Sequence, residues 1–200
     1  MRKLVIMFVI LLVSVSVFLS AQPISEQQVL PSQEIEKVTI DGLFYMAEEE
    51  KLARDVYLTL YEIWGNRVFF NIASAEQQHM NAIAAVMEDK SLENPTFVSE
   101  IGVFNDEEIA KLYESLVEQG STSLTAAFLV GAIIEDLDIY DLQRSIETTD
   151  DAAEIRVYNN LLRGSENHMR SFVKQLNRYG EDYSAHYISD AELSAILSRK

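Results

Sequence analysis

Apolar residues recur at spacings of three and four along four long stretches of the chain, about 43–64, 68–89, 122–147 and 151–179. That period marks one face of an α-helix, so each stretch predicts a helix burying a single stripe. The stripes run through Met46, Ala53, Tyr57, Leu60 and Trp64, then Phe69, Ile72, Ile83 and Val86. The later pair run through Leu124, Phe128, Gly131, Leu142 and Ile146, then Ile155, Tyr158, Leu162, Phe172 and Leu176. Met46, Met80, Met87 and Met169 read as fillers of the same core. A shorter helix is predicted near 106–119 and a tail helix near 190–199. No alternation of period two argues for a sheet, so the fold class is all-α.

Local signals divide these helices. Gly65-Asn66 turns the first into the second. Asn105 with Glu108 has the form of a capping box for the short helix, and Gly120 ends it. Ser121 to Ser123 can cap the third long helix, Thr149-Asp150 precedes the fourth, and Gly180 closes it. Ser189 with Glu192 repeats the capping box at the tail. The long helices thus form two hairpins joined by about thirty residues. Two antiparallel hairpins with one long crossover, here carrying a short helix, give the ferritin-like antiparallel four-helix bundle. The predicted bundle spans 37–180, with 181–200 as a C-terminal tail.

Each stripe is interrupted near its middle by polar residues. The first carries Glu50, the second Glu76 and His79, the third Glu135 and Asp138, the fourth Ser165 and His168. A buried carboxylate is costly unless paired or bound to a metal. Four helices making the same exception point to one shared polar site. Reflection about Gly65 sets Glu50 opposite His79–Met80. Reflection about Thr149 sets Glu135 near Arg163 and Asp138 near Asn160, leaving His168 about 5 to 8 Å away. Glu76 and His79, three residues apart, can reach one cation, and carboxylate oxygen with imidazole nitrogen suits iron, manganese or zinc. Glu49 competes with Glu50 for the inward position, because the acid run 48–50 can turn either one in. Asp138 is either a ligand or the group that orients a histidine. Tyr57, Tyr140 and Tyr158 are core residues or neighbours of a redox site. His186 reads as structural or exposed.

Composition narrows the function classes. The chain has no cysteine, which excludes disulfides, thiolate ligands and a cysteine nucleophile. Its formal charge is −16, and loss of Arg2 and Lys3 with a leader takes that to −18; such a field repels nucleic acid. Arg2, Lys3 and the apolar run Leu4–Leu19 form a signal peptide or an N-terminal anchor over 1–21, followed by a linker over 22–36. The bundle is therefore expected outside the cytoplasm, periplasmic, extracellular or held at a membrane. Monomer and homodimer are both compatible with this layout. No phosphate-binding glycine loop, nucleophile turn or HExxH motif is present.

The stretch Glu50-Lys51-Leu52-Ala53-Arg54-Asp55-Val56-Tyr57 resembles the first metal-binding helix of rubrerythrins. Glu76–His79 resembles their second-helix ExxH, and Glu135 with Asp138 resembles the acids of their third helix. From about 43 to 179 the chain also resembles a prokaryotic ferritin-like family known only as a domain of unknown function, through EEEKLARDVY, AEQQHM, GAIIEDLD and GSENHM. The resemblance implies iron or manganese held by Glu50, Glu76, His79, Glu135, Asp138 and His168, with oxidase, peroxidase or ferroxidase activity. The contrasting expectation is a non-catalytic binding module with a vestigial or single structural ion. One departure stands out: the fourth-helix Glu-x-x-His reads Ser165-Glu166-Asn167-His168. Asp138 can replace the lost acid, a π-bulge can swing Glu166 inward, or the site can hold one metal.

Overall fold

In a computed structural model of the chain, residues 32–94, 96 and 100–199 are described, with side chains from residue 42 onward. They form α1 (Ser32–Trp64), α2 (Arg67–Asp89), α3 (Glu107–Gly120), α4 (Leu124–Thr148), α5 (Ala152–Arg178) and α6 (Asp190–Ser198). Among the described residues there is no strand, and the molecule is an all-α bundle. The expected leader and residues 22–31 lie outside the described part. Residues 32–36, read as linker from their polarity, belong to α1 instead. Helix α1 therefore starts before its apolar stripe does, at a point the stripe could not mark.

Helices α1 and α2 pack as one hairpin and α4 and α5 as the other, while α3 lies across α1 and α4. Gly65 takes a left-handed φ of 63° to make the first turn, and the Asn66 side chain accepts a hydrogen bond from Val68 N. Ser123 and Asp151 cap α4 and α5, and Ser189 with Glu192 closes a capping box on α6. At α3 the cap is Asp106, which accepts from Glu108 N and Ile109 N. Asn105 is not the cap because Glu48 takes both its backbone N and its Nδ2, each at 2.8 Å. Fixed there, Asn105 leaves the capping position to the next residue.

The core comes in two parts. One holds Tyr57, Phe69, Phe128 and Phe172, with Tyr57 and Phe172 ring centres 5.1 Å apart. The other holds Leu43, Met46, Ile83, Met87, Leu142, Tyr158 and Leu161. Between them every long helix crosses a polar layer: Glu50 between Ala47 and Ala53, Glu76 and His79 between Ala73 and Ile83, and likewise on α4 and α5. Apolar packing above and below fixes the height of this layer and keeps bulk water from it.

Two further buried charge groups hold the connections. Glu48 also accepts from Asp106 N at 2.7 Å, and Lys51, fully buried, pairs with Asp55, donates to Glu100 O at 2.9 Å and lies 4.2 Å from the Phe104 ring centre. Asp55 accepts from Gly102 N at 3.0 Å. These α1 side chains fasten the crossover. On α4, Asp136 accepts from Tyr183 Oη at 2.7 Å, His186 N at 2.6 Å and Ile188 N at 3.0 Å, which ties the tail to the bundle. His186 is thus structural through its backbone. Each cluster satisfies a buried charge with hydrogen bonds, as burial demands.

Candidate metal centre

The polar layer brings five of the six expected residues into two overlapping triads. Glu50, Glu76 and His79 offer ligand atoms within 4.8 Å of one another, and so do Glu76, Glu135 and His168. Glu76 belongs to both. Its Oε2 lies 2.8 Å from His79 Nδ1 and its Oε1 lies 2.8 Å from His168 Nδ1. Glu50 Oε2 meets His79 Nδ1 at 3.0 Å, and Glu135 Oε2 lies 3.5 Å from His168 Nδ1. The two imidazole rings face each other with centres 5.6 Å apart and planes 27° from parallel. Both histidines therefore present the same nitrogen to the same carboxylate from opposite sides.

Helix geometry explains how one acid serves two rings. Glu76 and His79 are about 60° apart around α2, so both point inward with the carboxylate one step toward α5. His79 finds room because Gly164 has no Cβ; one built there would lie 2.4 Å from His79 Nε2. The opposing pair on α4 and α5 is displaced from simple reflection. Glu135 meets His168 rather than Arg163, and Asp138 meets Ser165 rather than Asn160. The reflection placed the mirror at Thr149, but that residue ends α4 and Asp151 caps α5, so the register shifts by about a turn.

The acid run on α1 divides three ways. Glu48 goes to the crossover, Glu50 enters the cluster, and Glu49 turns to a small cavity beside Leu52, Ile134 and Asp138. Asp138 lies outside both triads, accepting a hydrogen bond from Ser165 Oγ. Glu166 forms an ion pair with Arg199 at 2.6 Å on an unbroken α5, so it does not swing inward. Tyr57, fully buried, donates to Glu135 Oε1 at 2.5 Å and approaches Gly131 O at 3.3 Å. Tyr158 belongs to the second apolar core, and Tyr140 pairs with Tyr187 away from the cluster.

Electrostatically the layer is short of positive charge. Among the described residues, every ion-pair partner of Glu50, Glu76 and Glu135 is a histidine. Burial pushes the Glu50 carboxyl up to about 7 although His79 opposes the shift. Burial likewise raises Glu135 and carries Asp138 well above the usual range. For Glu76 burial acts in the same sense, but His168 and His79 outweigh it and hold the carboxyl at about 2. Burial alone would lower His79, yet Glu50 and Glu76 raise it to about 11; His168 is raised well above its usual value by Glu76 and Glu135.

Hydrogen bonds do not satisfy every atom of the cluster. Glu50 Oε1, Glu76 Oε1, Asp138 Oδ1 and His168 Nδ1 are buried and make no hydrogen bond. The close approach of Glu76 Oε1 to His168 Nδ1 is thus a contact without hydrogen-bond alignment. Buried polar atoms left in this way are rare and call for a partner. Oxygen and nitrogen donors converging in this way match the donor set of a divalent transition metal.

Sequence reasoning passed over Gly164 and the Glu49 cavity. A signal for the first was available: a glycine inside a long helix costs about 1 kcal/mol against alanine, so it usually marks a close approach. Glu49 carried no separate signal, since adjacent acids look alike in sequence.

Comparison with known proteins gives a consistent grouping. Residues 39–200 match the family described as an uncharacterized protein domain, DUF2202. The chain is 48% identical over 169 residues to the uncharacterized protein MJ0754 of Methanocaldococcus jannaschii, covering 84% of this chain and 91% of that protein. The crystal structure of hypothetical protein MJ0754 from Methanococcus jannaschii DSM 2661 superposes with a TM-score of 0.79 at 47% identity, covering 92% of this chain and 99% of that one.

Proposed function

We propose that this chain, which belongs to the DUF2202 family of uncharacterized domains, is a ferritin-like metalloprotein with a two-metal carboxylate–histidine centre. The observation that carries this reading is Glu76, whose two oxygens each lie 2.8 Å from the Nδ1 of a different histidine. One ion would be held by Glu50, Glu76 and His79, the other by Glu76, Glu135 and His168. Iron or manganese would supply one-electron chemistry toward O₂ or peroxide, supporting an oxidase, peroxidase or ferroxidase; zinc fits the donors without that chemistry. The chain's own residues set the conditions. The apolar layers exclude bulk water, Tyr57 orients Glu135, and Ser165 leaves the α5 side of the centre without a carboxylate. Placement outside the cytoplasm, through the apolar N-terminal run, is part of the same proposal.

The alternative is a non-catalytic helical module with a vestigial cluster or a single structural ion. Ser165 favours it, because its hydroxyl gives Asp138 a partner where a second bridging acid would otherwise stand. Elemental analysis of protein purified without chelators, beside His79→Ala and His168→Ala, separates the two. The proposed centre predicts two metal ions per chain, with neither variant keeping more than one. No metal after anaerobic addition of Fe²⁺ or Mn²⁺, and a melting temperature indifferent to chelation, would establish the module.

Gly164→Ala tests the packing of the same site. The added methyl must displace the His79 ring, while helix propensity improves by about 1 kcal/mol. The variant is expected to fold as a helical bundle by circular dichroism and to lose the ion that His79 holds. Full metal content in this variant would show that His79 can give way without leaving the centre.

A further inference from the structure

Beside the centre lies a second group of acids that the proposed ligand set does not use. Glu49 is 5% exposed, no N–H or hydroxyl group donates to its carboxylate, and its polar neighbour is another acid, Asp141. It lines a cavity of about 20 Å³ together with Asp138, between apolar residues of α1, α3 and α4, with Tyr187 of the tail at one side. That volume accommodates one water-sized group. Toward the surface, the Glu49 side chain meets the half-buried carboxyl of Asp141, and Tyr45 lies against both. Toward the interior, Asp138 interacts with Glu50, Glu135 and Glu76. Carboxylates thus run from Asp141 through Glu49 and Asp138 to the two triads. Among the described residues no lysine or arginine forms an ion pair with any of these three, and Arg144 acts on Asp141 without pairing with it.

Packing gives no reason for Glu49. Its polar neighbour is itself an acid, so the two carboxyls can be reconciled only by a shared proton or a cation. Glu49 lines the cavity, and the next carboxylate inward, Asp138, lines it too. We propose that the Glu49 cavity is a transit site through which a divalent cation passes from Asp141 to the two-histidine centre. This rests on the metal-centre reading and adds the side from which the centre is filled. Apolar walls serve the role, since they leave the carboxylates as the only stopping points and focus their field along the path.

Stopped-flow mixing of Co²⁺ with the metal-free protein, followed by its visible absorption, tests the route. Glu49→Gln is nearly isosteric, and Asp141→Asn lies at the half-buried end, so a fold defect in the first leaves the second informative. Each is expected to load about tenfold more slowly than wild type, the lower range for charge-focused association, with unchanged final Co²⁺ per chain. Glu62→Gln, an exposed change of equal charge on the same helix, is expected to load at the wild-type rate. Wild-type loading rates in both route variants would overturn the transit role. A reduced final Co²⁺ content in Glu49→Gln would also overturn it, by making Glu49 a ligand. Wild-type protein taking up no Co²⁺ would instead remove the metal centre, and the route with it.

Discussion

Replacing Glu76 with glutamine is expected to empty both halves of the centre at once. The side chain keeps its length but loses the charge that both histidines face at 2.8 Å. A neutral amide presents one oxygen where the carboxylate presents two, so it cannot serve His79 and His168 together. Removing even an outer partner of a metal ligand costs 10- to 100-fold in affinity, and a shared ligand should cost at least about a hundredfold for each ion. Glu50→Gln, which touches only the His79 triad, is expected to reduce affinity for one ion and spare the other. Titration calorimetry with Mn²⁺, beside elemental analysis, distinguishes the two. Retention of one tightly bound ion in the Glu76 variant would mean the triads are independent and Glu76 is no bridge.

The second large effect is on the stability of the metal-free protein, which is expected to fall as pH rises from 5 to 8. Glu50 has a folded pKa of about 7 against an ordinary 4.5. The folded state therefore binds more protons than the unfolded state across that interval, and stability declines as the proton is lost. The difference corresponds to ~3 kcal/mol. For a chain of this size that is roughly 10 °C in melting temperature. His79 acts in the same sense: raised to about 11, it contributes stability fully present below about 6.5 and lost as pH climbs through 11. Glu76, held at about 2, loses its contribution only below about 4.5, outside the window. Metal-loaded protein should show the opposite slope, because the ion displaces those protons and binds better as they leave. Thermal melts at pH 5, 6.5 and 8, with and without Mn²⁺, measure both slopes. Parallel slopes would show that the ion does not occupy the place of the protons.

Much of this arrangement was legible because the helices are long and their stripes interrupted at one height. Periodicity located five of the six helices closely, and Gly65, Ser123 and Ser189 marked their ends through local backbone chemistry that distant contacts do not alter. The α1–α2 register followed from a two-residue turn, so Glu50 against His79 could be placed by counting. The α4–α5 turn is centred beyond Thr149, with Asp151 as the cap, and His168 comes beside Glu135 instead of beyond it. What periodicity could not resolve was the fate of neighbours on one helix. Glu48, Glu49 and Glu50 differ by about 100° each, and only the partners supplied by the crossover and α4 decide where each goes. Asp136 was hidden similarly, its partners being the Tyr183 hydroxyl and backbone N–H groups of a tail 47 to 52 residues away.

The buried group of Glu48, Lys51 and Asp55 bears on the order in which the chain folds. The α1–α2 hairpin needs only neighbouring sequence and can form early, as local contacts generally do. Yet one face of α1 then displays three charges that, beyond the Lys51–Asp55 pair, find their remaining partners in residues 100–106. Until that segment arrives these charges keep their water, and α1 cannot be sealed. On a ribosome, the hairpin would wait half-dressed while the crossover emerges, its charged flank still hydrated. The same charges that look like an expense in the finished core would keep that face of α1 wet until the crossover docks on it.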